Sequence, residues 1–142
     1  MILETAVTFT TELKLRGDVE AMIADPARCV LIAELDGAFS AFALFGSFRN
    51  GPGYAGTVEH SVYVAPKAKR KGLGRLLLDE LTKMAVKTGH HVMVGAISGG
   101  NLAAVKFHQS LGFDQVARMP EVGRKNSVWH DLILMQKILE TP

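Results

Sequence analysis

Between residues 57 and 97 the chain sets end to end an apolar strand, TVEHSVYVA, a loop dense in Lys, Arg and Gly, a leucine-spaced helix and a second apolar strand, HVMVGAI. That order leaves few folds open. The Val and Tyr content suits the first segment to a strand, and Pro66 ends it. Leu73, Leu77, Leu81 and Met84 then recur at helical spacing while Glu80, Lys83 and Lys87 take other faces. This predicts an amphipathic helix from 73 to about 88, stopped by Gly89. A strand, helix and strand joined in this way make a right-handed parallel crossover.

The flanking segments add antiparallel strands. CVLIAEL and AFSAFALFG, separated by Asp36-Gly37, predict a hairpin, because Asp and Gly tolerate the positive φ of a primed turn. The glycine-rich SFRNGPGYAG is a loop. After HVMVGAI, the run NLAAVKFHQSLGF predicts a helix of about three turns, with Asn101 as amino cap, Ala104, Phe107 and Leu111 as its apolar face, and Gly112 as the left-handed carboxyl cap. WHDLILMQKIL supplies a final strand, with Trp129 buried near its start. From residue 57 the order is strand, loop, helix, strand, helix, strand. The fold class is α/β with a mixed sheet, and residues 1–142 form one domain.

Composition fits that reading. Of 142 residues 48% are hydrophobic, enough for a real core, and 16 Lys and Arg against 14 Asp and Glu leave a formal charge of +2, too little for a nonspecific nucleic-acid binder. A single cysteine, Cys29, excludes an internal disulfide and suits a reducing compartment. There is no run of 18 apolar residues, and the opening MILETAVTFTTELK is acidic where a signal peptide is basic. These features imply a cytoplasmic protein with neither membrane nor nucleic acid as partner.

The charge is concentrated in one place. Five of the nine residues from Lys67 to Arg75 are basic. In Lys71-Gly72-Leu73-Gly74-Arg75 the glycines let the backbone approach a ligand, and the first turn of the helix presents unpaired N–H groups to an anion. Lys69, Arg70, Lys71 and Arg75 would neutralise a diphosphate held there. The alternative is a solvated basic turn. A Rossmann fingerprint fails because residue 77 is Leu and no acidic residue closes the following strand. A phosphate-loop NTPase fails because Arg75-Leu76 stands where Lys and Ser or Thr are needed.

V62-Y-V-A-P-K-A-K-R-K-G-L-G-R-L-L, followed by N101-L-A-A-V-K-F-H-Q-S-L-G-F, resembles the GCN5-related N-acetyltransferases, whose glycine loop holds the pyrophosphate of acetyl-CoA. Lys69 stands where that signature opens with Arg or Gln, a departure that keeps the charge. T57-V-E-H-S-V-Y-V, residues 101–113 and V122-G-R-K-N-S-V-W-H-D resemble more narrowly the phosphinothricin and methionine sulfoximine acetyltransferase branch.

The resemblance implies roles. A splayed pair of parallel strands would offer backbone groups of Val62, Tyr63 and Val64 to the pantetheine, an N–H near Val62 would polarise the acetyl carbonyl, and residues Lys69 to Arg75, Leu73 included, would bind the diphosphate. No metal is called for. An ammonium must lose a proton before attacking a thioester, and Glu59 is the first candidate base. His60 competes with it, although strand alternation puts Glu59, Ser61 and Tyr63 on one face and His60 on the other. The structural alternatives are a salt-bridged Glu59 and a core His60. His108 stands where many members have a tyrosine that protonates the departing thiolate, and would be a catalytic acid, a cofactor contact or a packed ring. Asn101 resembles an asparagine that bonds pantetheine, or is a cap alone. Arg49, Glu59 and Lys125 would meet the acceptor, and Trp129 would wall its pocket or fill the core.

Two features depart from the branch. Its members open with a strand, an acidic residue and a helix ahead of the segment resembling VTFTTE, whereas Met1 here falls beyond them. A partner subunit in a homodimer, an open pocket or a late-assigned start would follow. In FRNGPGY one of two branch arginines remains, as Arg49, but residue 51 is Gly and cannot grip a carboxylate or phosphinate. The implied function is acetyl transfer from acetyl-CoA to the primary amine of a small amino-acid-like acceptor. Transfer to a protein or peptide amine and noncatalytic acyl-CoA binding are the alternatives.

Overall fold

The computed structural model describes residues 28–140, so the opening segment and what precedes VTFTTE in the branch lie outside the described residues. The described residues fall into two compact units, 28–93 with 138–140, and 94–137.

In the first unit, β1 (Cys29–Leu35) and β2 (Ala38–Ser47) form the expected hairpin. Asp36 (φ 51°) and Gly37 (φ 77°) are both left-handed, as a primed turn requires. β2 continues antiparallel onto β3 (Thr57–Val64), and α1 (Leu73–Lys87) packs across β1, β2 and β3. Its buried stripe is Leu73, Leu77, Leu81 and Ala85, with Leu78 beside it. Met84 is only half-buried, because the stripe advances in steps of four to Ala85 and not by three. Each leucine so buried contributes roughly 1.5–3 kcal/mol by leaving water. Ala41, Ala43, Phe45 and Val58, on the strands under the helix, are buried in the same unit.

β4 (Val92–Ser98) begins in this unit and continues into the other. The Gly56 carbonyl, just ahead of β3, accepts from the N–H groups of His91 (2.7 Å) and Val92 (3.1 Å), so β3 and β4 start at one end and run parallel. The Leu139 N–H, just past β6 (Val128–Ile138), donates to the His91 carbonyl at 2.7 Å, so β6 ends where β4 begins and runs antiparallel to it. Backbone pairing orders the strands β1-β2-β3-β4-β6-β5, where β5 is Asp114–Lys125, a mixed sheet of the expected α/β class.

The second unit corrects three expectations. β5 (Asp114–Lys125) is a twelve-residue strand where none was predicted. Its sequence, DQVARMPEVGRK, is mostly polar and exposed, contains Pro120, and slips register twice against β6, so it carries neither alternation nor an apolar run. Asn126 (φ 52°) and Ser127 (φ 64°) close the β5–β6 hairpin. In α2 (Leu102–Ser110), Val105 and His108 are buried while Ala104 and Phe107 are only partly so, which turns the inward face of the helix one residue from the predicted one, although Leu111 just beyond it is buried as expected. Trp129 is 55% exposed and not in the core. It sits one residue from the hairpin turn opposite Arg124, whose guanidinium lies 4.7 Å over its ring, so its cover is a neighbouring cation. Among the described residues no helix is long and apolar enough to cross a membrane.

Candidate active site

β3 divides the candidate bases as alternation requires. Val58 and His60 point into the core, where His60 is 7% exposed, while Glu59 lies half-buried on the other face. Burial raises the Glu59 pKa above its ordinary value of 4.5. Its cross-strand partner is Gly46, and a Cβ there would lie 3.7–4.0 Å from three atoms of the Arg28 side chain. Directly opposed residues share a face, so Arg28, lying against Gly46, sits beside the Glu59 position. Sequence reading missed Arg28. It lies against Gly46, and an isolated glycine in a strand signals only some close approach. Farther along the same face the Tyr63 ring stacks on Phe42 at 5.6 Å.

The backbone of β3 is committed on one side. The Ala65 N–H donates to the Ser40 carbonyl at 2.8 Å, and in an antiparallel ladder such pairs recur at every second residue. Glu59, Ser61 and Tyr63 therefore spend their backbone groups on β2, whereas Val62 and Val64 turn theirs away from it. Of the three residues expected to offer backbone groups, Val62 and Val64 turn theirs away from β2, and Tyr63 does not.

The loop after β3 is pinned at both ends and open between them. Pro66–Ala68 form a short 3-10 turn with Ala68 buried, and Leu73 is buried at the start of α1. Lys69, Arg70, Lys71 and Arg75 are all exposed. Arg70 (φ 64°) and Gly72 (φ 75°) are left-handed on either side of Lys71, the kind of backbone in which successive N–H groups form an anion-binding concavity. No side chain caps α1, and a Cβ at Gly72 would meet nothing within 4 Å. The amino end of α1 thus presents N–H groups, a helix dipole, open space and four cations together. A diphosphate fits this set.

Two predicted residues meet on α2. The Asn101 side chain accepts from the Ala104 N–H at 3.1 Å, and the His108 Nδ1 donates to the Ala104 carbonyl at 2.7 Å. His108 is buried edge-on between Phe107 and Phe113. Desolvation pushes its pKa below 6.5, against the smaller opposing effect of the Ala104 bond. The ring is neutral at neutral pH, and that disfavours an imidazolium acid. Lys125 is only 3% exposed, so it does not extend into solvent to meet an acidic acceptor. Arg49 is exposed and lies 4.9 Å over the Tyr54 ring.

The Acetyltransferase (GNAT) family model matches residues 1–113. The chain belongs to the GNAT acetyltransferase family. An L-methionine sulfoximine/L-methionine sulfone acetyltransferase of Salmonella typhimurium is 47% identical over 111 residues, covering 78% of this chain and 65% of that protein. This chain therefore spans slightly under two thirds of that relative's length. A putative acetyltransferase of the same organism, solved with its cofactor acetyl-CoA, superposes with a TM-score of 0.91 at 39% identity, over 99% of this chain and 83% of that one. A ribosomal-protein-alanine N-acetyltransferase from Brucella melitensis gives 0.93 at 34% identity, over 97% and 87%. The resemblance drawn from the three sequence blocks is borne out at the level of family and of branch.

Proposed function

We propose that this chain transfers the acetyl group of acetyl-CoA to the primary amine of a small amino-acid-like acceptor, of the methionine sulfoximine, methionine sulfone or phosphinothricin type. The observation that carries the reading is the uncapped, four-cation amino end of α1 directly following the strand that bears Glu59. Acetyl-CoA supplies an activated acyl thioester. Lys69, Arg70, Lys71 and Arg75 hold the diphosphate with the backbone N–H groups from Gly72 to Arg75, Leu73 and Gly74 included. Val62 and Val64 bond the pantetheine and acyl carbonyl through backbone groups turned away from β2, and Asn101 bonds the pantetheine. Glu59 takes a proton from the acceptor ammonium, directly or through water, and its raised pKa brings it nearer the range useful to a base. His60 supports β3 from the core. His108 holds α2 together, and solvent protonates the thiolate. The acceptor carboxylate meets Arg49, with Arg28 beside Glu59. We assign Lys125 to the structure of the β5–β6 hairpin.

Likeness to solved acetyltransferases over 97–99% of the chain supports reading residues 1–142 as one acyl-CoA-binding domain. We further propose a cytoplasmic homodimer. β5 is an edge strand that exposes Val116, Met119 and Val122 among its mostly polar residues, and a second subunit packed on that edge would cover them.

An amine screen with acetyl-CoA, read by thiol release, tests the reading. Turnover of methionine sulfoximine or methionine sulfone is the expected result. The match to a ribosomal-protein-alanine acetyltransferase favours one second reading, transfer to a protein amine, and turnover of an alanine-ended peptide alone would select it. Tight acetyl-CoA binding with no turnover of any amine would leave a noncatalytic binding domain.

A further inference from the structure

Gly99 and Asp131 meet where β4 gives way to the loop before α2. The Gly99 N–H donates to the Asp131 carbonyl at 2.8 Å. A Cβ on residue 99 would lie 2.8 Å from the Asp131 Cβ and 3.3 Å from both the Asp131 carbonyl and Arg118 Nη2. Residue 99 must therefore be glycine if this contact is to stand. The Asp131 carboxylate bonds in the other direction, to β5. Its Oδ2 accepts from Arg118 Nε at 3.0 Å and lies 2.8 Å from Nη2, and its Oδ1 accepts from the Glu121 N–H at 3.0 Å.

Glu121 lies in a bulge. Met119 pairs with Leu132 and Gly123 with His130, so Pro120, Glu121 and Val122 stand opposite Asp131 alone, and Glu121 has φ 56°. A bulge leaves N–H groups without a ladder partner, and the Asp131 carboxylate satisfies one of them. One residue thus ties the β5 bulge, through its side chain, to the loop after β4, through its carbonyl. Past Gly99, the Asn101 N–H donates to the Ser98 carbonyl at 2.9 Å, and the Asn101 side chain caps α2.

We propose that Asp131, held by Arg118 and the Glu121 N–H, is a positioning residue that fixes the Ser98–Asn101 turn, and through it Asn101, for acetyl-CoA. The proposal rests on the acetyltransferase reading above. The Asp131–Arg118 pair is partly solvated, with side chains 27% and 50% exposed, and exposed pairs add little to global stability. Its effect is local. Asp131→Ala removes both side-chain anchors, Asp131→Asn keeps one acceptor for the Glu121 N–H, and Gly99→Ala pushes on the same contact from the opposite side.

Calorimetry with acetyl-CoA, steady-state kinetics and amide hydrogen exchange test this. In Asp131→Ala and Gly99→Ala, the Kd and KM for acetyl-CoA rise about tenfold while kcat at saturating acetyl-CoA changes less than about threefold, as for misplacement of a binding group. Exchange at the Gly99 and Ala104 amides quickens about tenfold or more while α1 amides keep wild-type rates, the signature of local opening. Asp131→Asn lies between wild type and Asp131→Ala. Wild-type affinity with wild-type exchange at Gly99 and Ala104 in both alanine variants overturns the proposal, as does a uniform gain in exchange across α1 and α2. A wild-type protein that binds no acetyl-CoA overturns the proposed function instead, and the exchange rates, which need no ligand, then judge the clamp by themselves.

Discussion

Glu59 and His60 are neighbours in sequence, yet the pleat turns them to opposite faces. Glu59→Gln keeps size and one acceptor oxygen but no basic carboxylate, so acetyl-CoA affinity should survive while turnover near neutral pH falls by roughly 10² to 10⁴. Part of the rate should return at high pH, where more acceptor is already deprotonated. Because burial raises the Glu59 pKa, the acid limb of the wild-type kcat/KM profile should lie above 4.5 and vanish in the variant. Near-wild-type turnover in Glu59→Gln, with a large loss in His60→Asn, would move the base to His60. His108 gives a second test. Its folded pKa is depressed, so the stability it contributes is complete above its unfolded value of 6.5 and is lost as pH falls through the folded value. His108→Gln should cost about 1–3 kcal/mol at pH 7.5 by losing the bond to Ala104, and should flatten the fall in stability just below pH 6.5. Asp131, also depressed, loses its contribution only below 3.8, so the windows separate. Turnover in His108→Gln should fall by far less than the ~10²-fold that loss of a general acid brings. A larger loss at unchanged acetyl-CoA affinity would restore His108 as the acid.

The loop from Ala65 to Gly72 works as an element because its two ends are anchored and its middle is charged. Gly72 adopts φ 75° with open space around it, so glycine is favoured there by the left-handed backbone and not by crowding from the protein, and the space leaves room for the proposed ligand. Gly72→Val should fold, since Leu73, Leu77 and Leu81 still bury α1, but should lose most acetyl-CoA affinity. Unchanged affinity in a folded Gly72→Val would remove the loop from the binding site. Since the four cations are exposed, wild-type affinity should also fall as salt rises, because the Debye length shrinks from about 10 Å at 0.1 M to about 3 Å at 1 M. Calorimetry across that range checks it, and a flat salt dependence would mean that the backbone N–H groups bind without the side chains.

At the scale of the whole molecule, β5 sets the question of assembly. A twelve-residue outermost strand with three exposed apolar side chains is an edge that proteins blunt, pair or cover. Sedimentation velocity over the concentrations used for turnover should find a dimer, and Val122→Lys, which puts charge on that edge without touching the loop or β3, should shift it toward monomer. A monomer at all those concentrations would reject β5 as an interface.

What could be read from the sequence follows the periods that local structure imposes. The β1–β2 turn at Asp36-Gly37, the faces of β3, the start of α1 at Gly72-Leu73 and the Asn101 cap each depend on residues within one turn or one strand of each other, and each stands where the pattern put it. The make-up of the loop was legible for the same reason, because glycine, charge and helix start are contiguous. β5, the exposed Trp129, the buried Lys125 and the place of Arg28 were not, since pairing between strands, and not a period along one segment, sets them: β6 pairs with an otherwise polar segment, Arg124 covers Trp129 from the facing strand, and Arg28 lies against Gly46. Asp131 belongs with these. Its carboxylate matters only because three residues of β5 bulge opposite it and Gly99 has no side chain to keep it away, and no local period records a contact made by an absence.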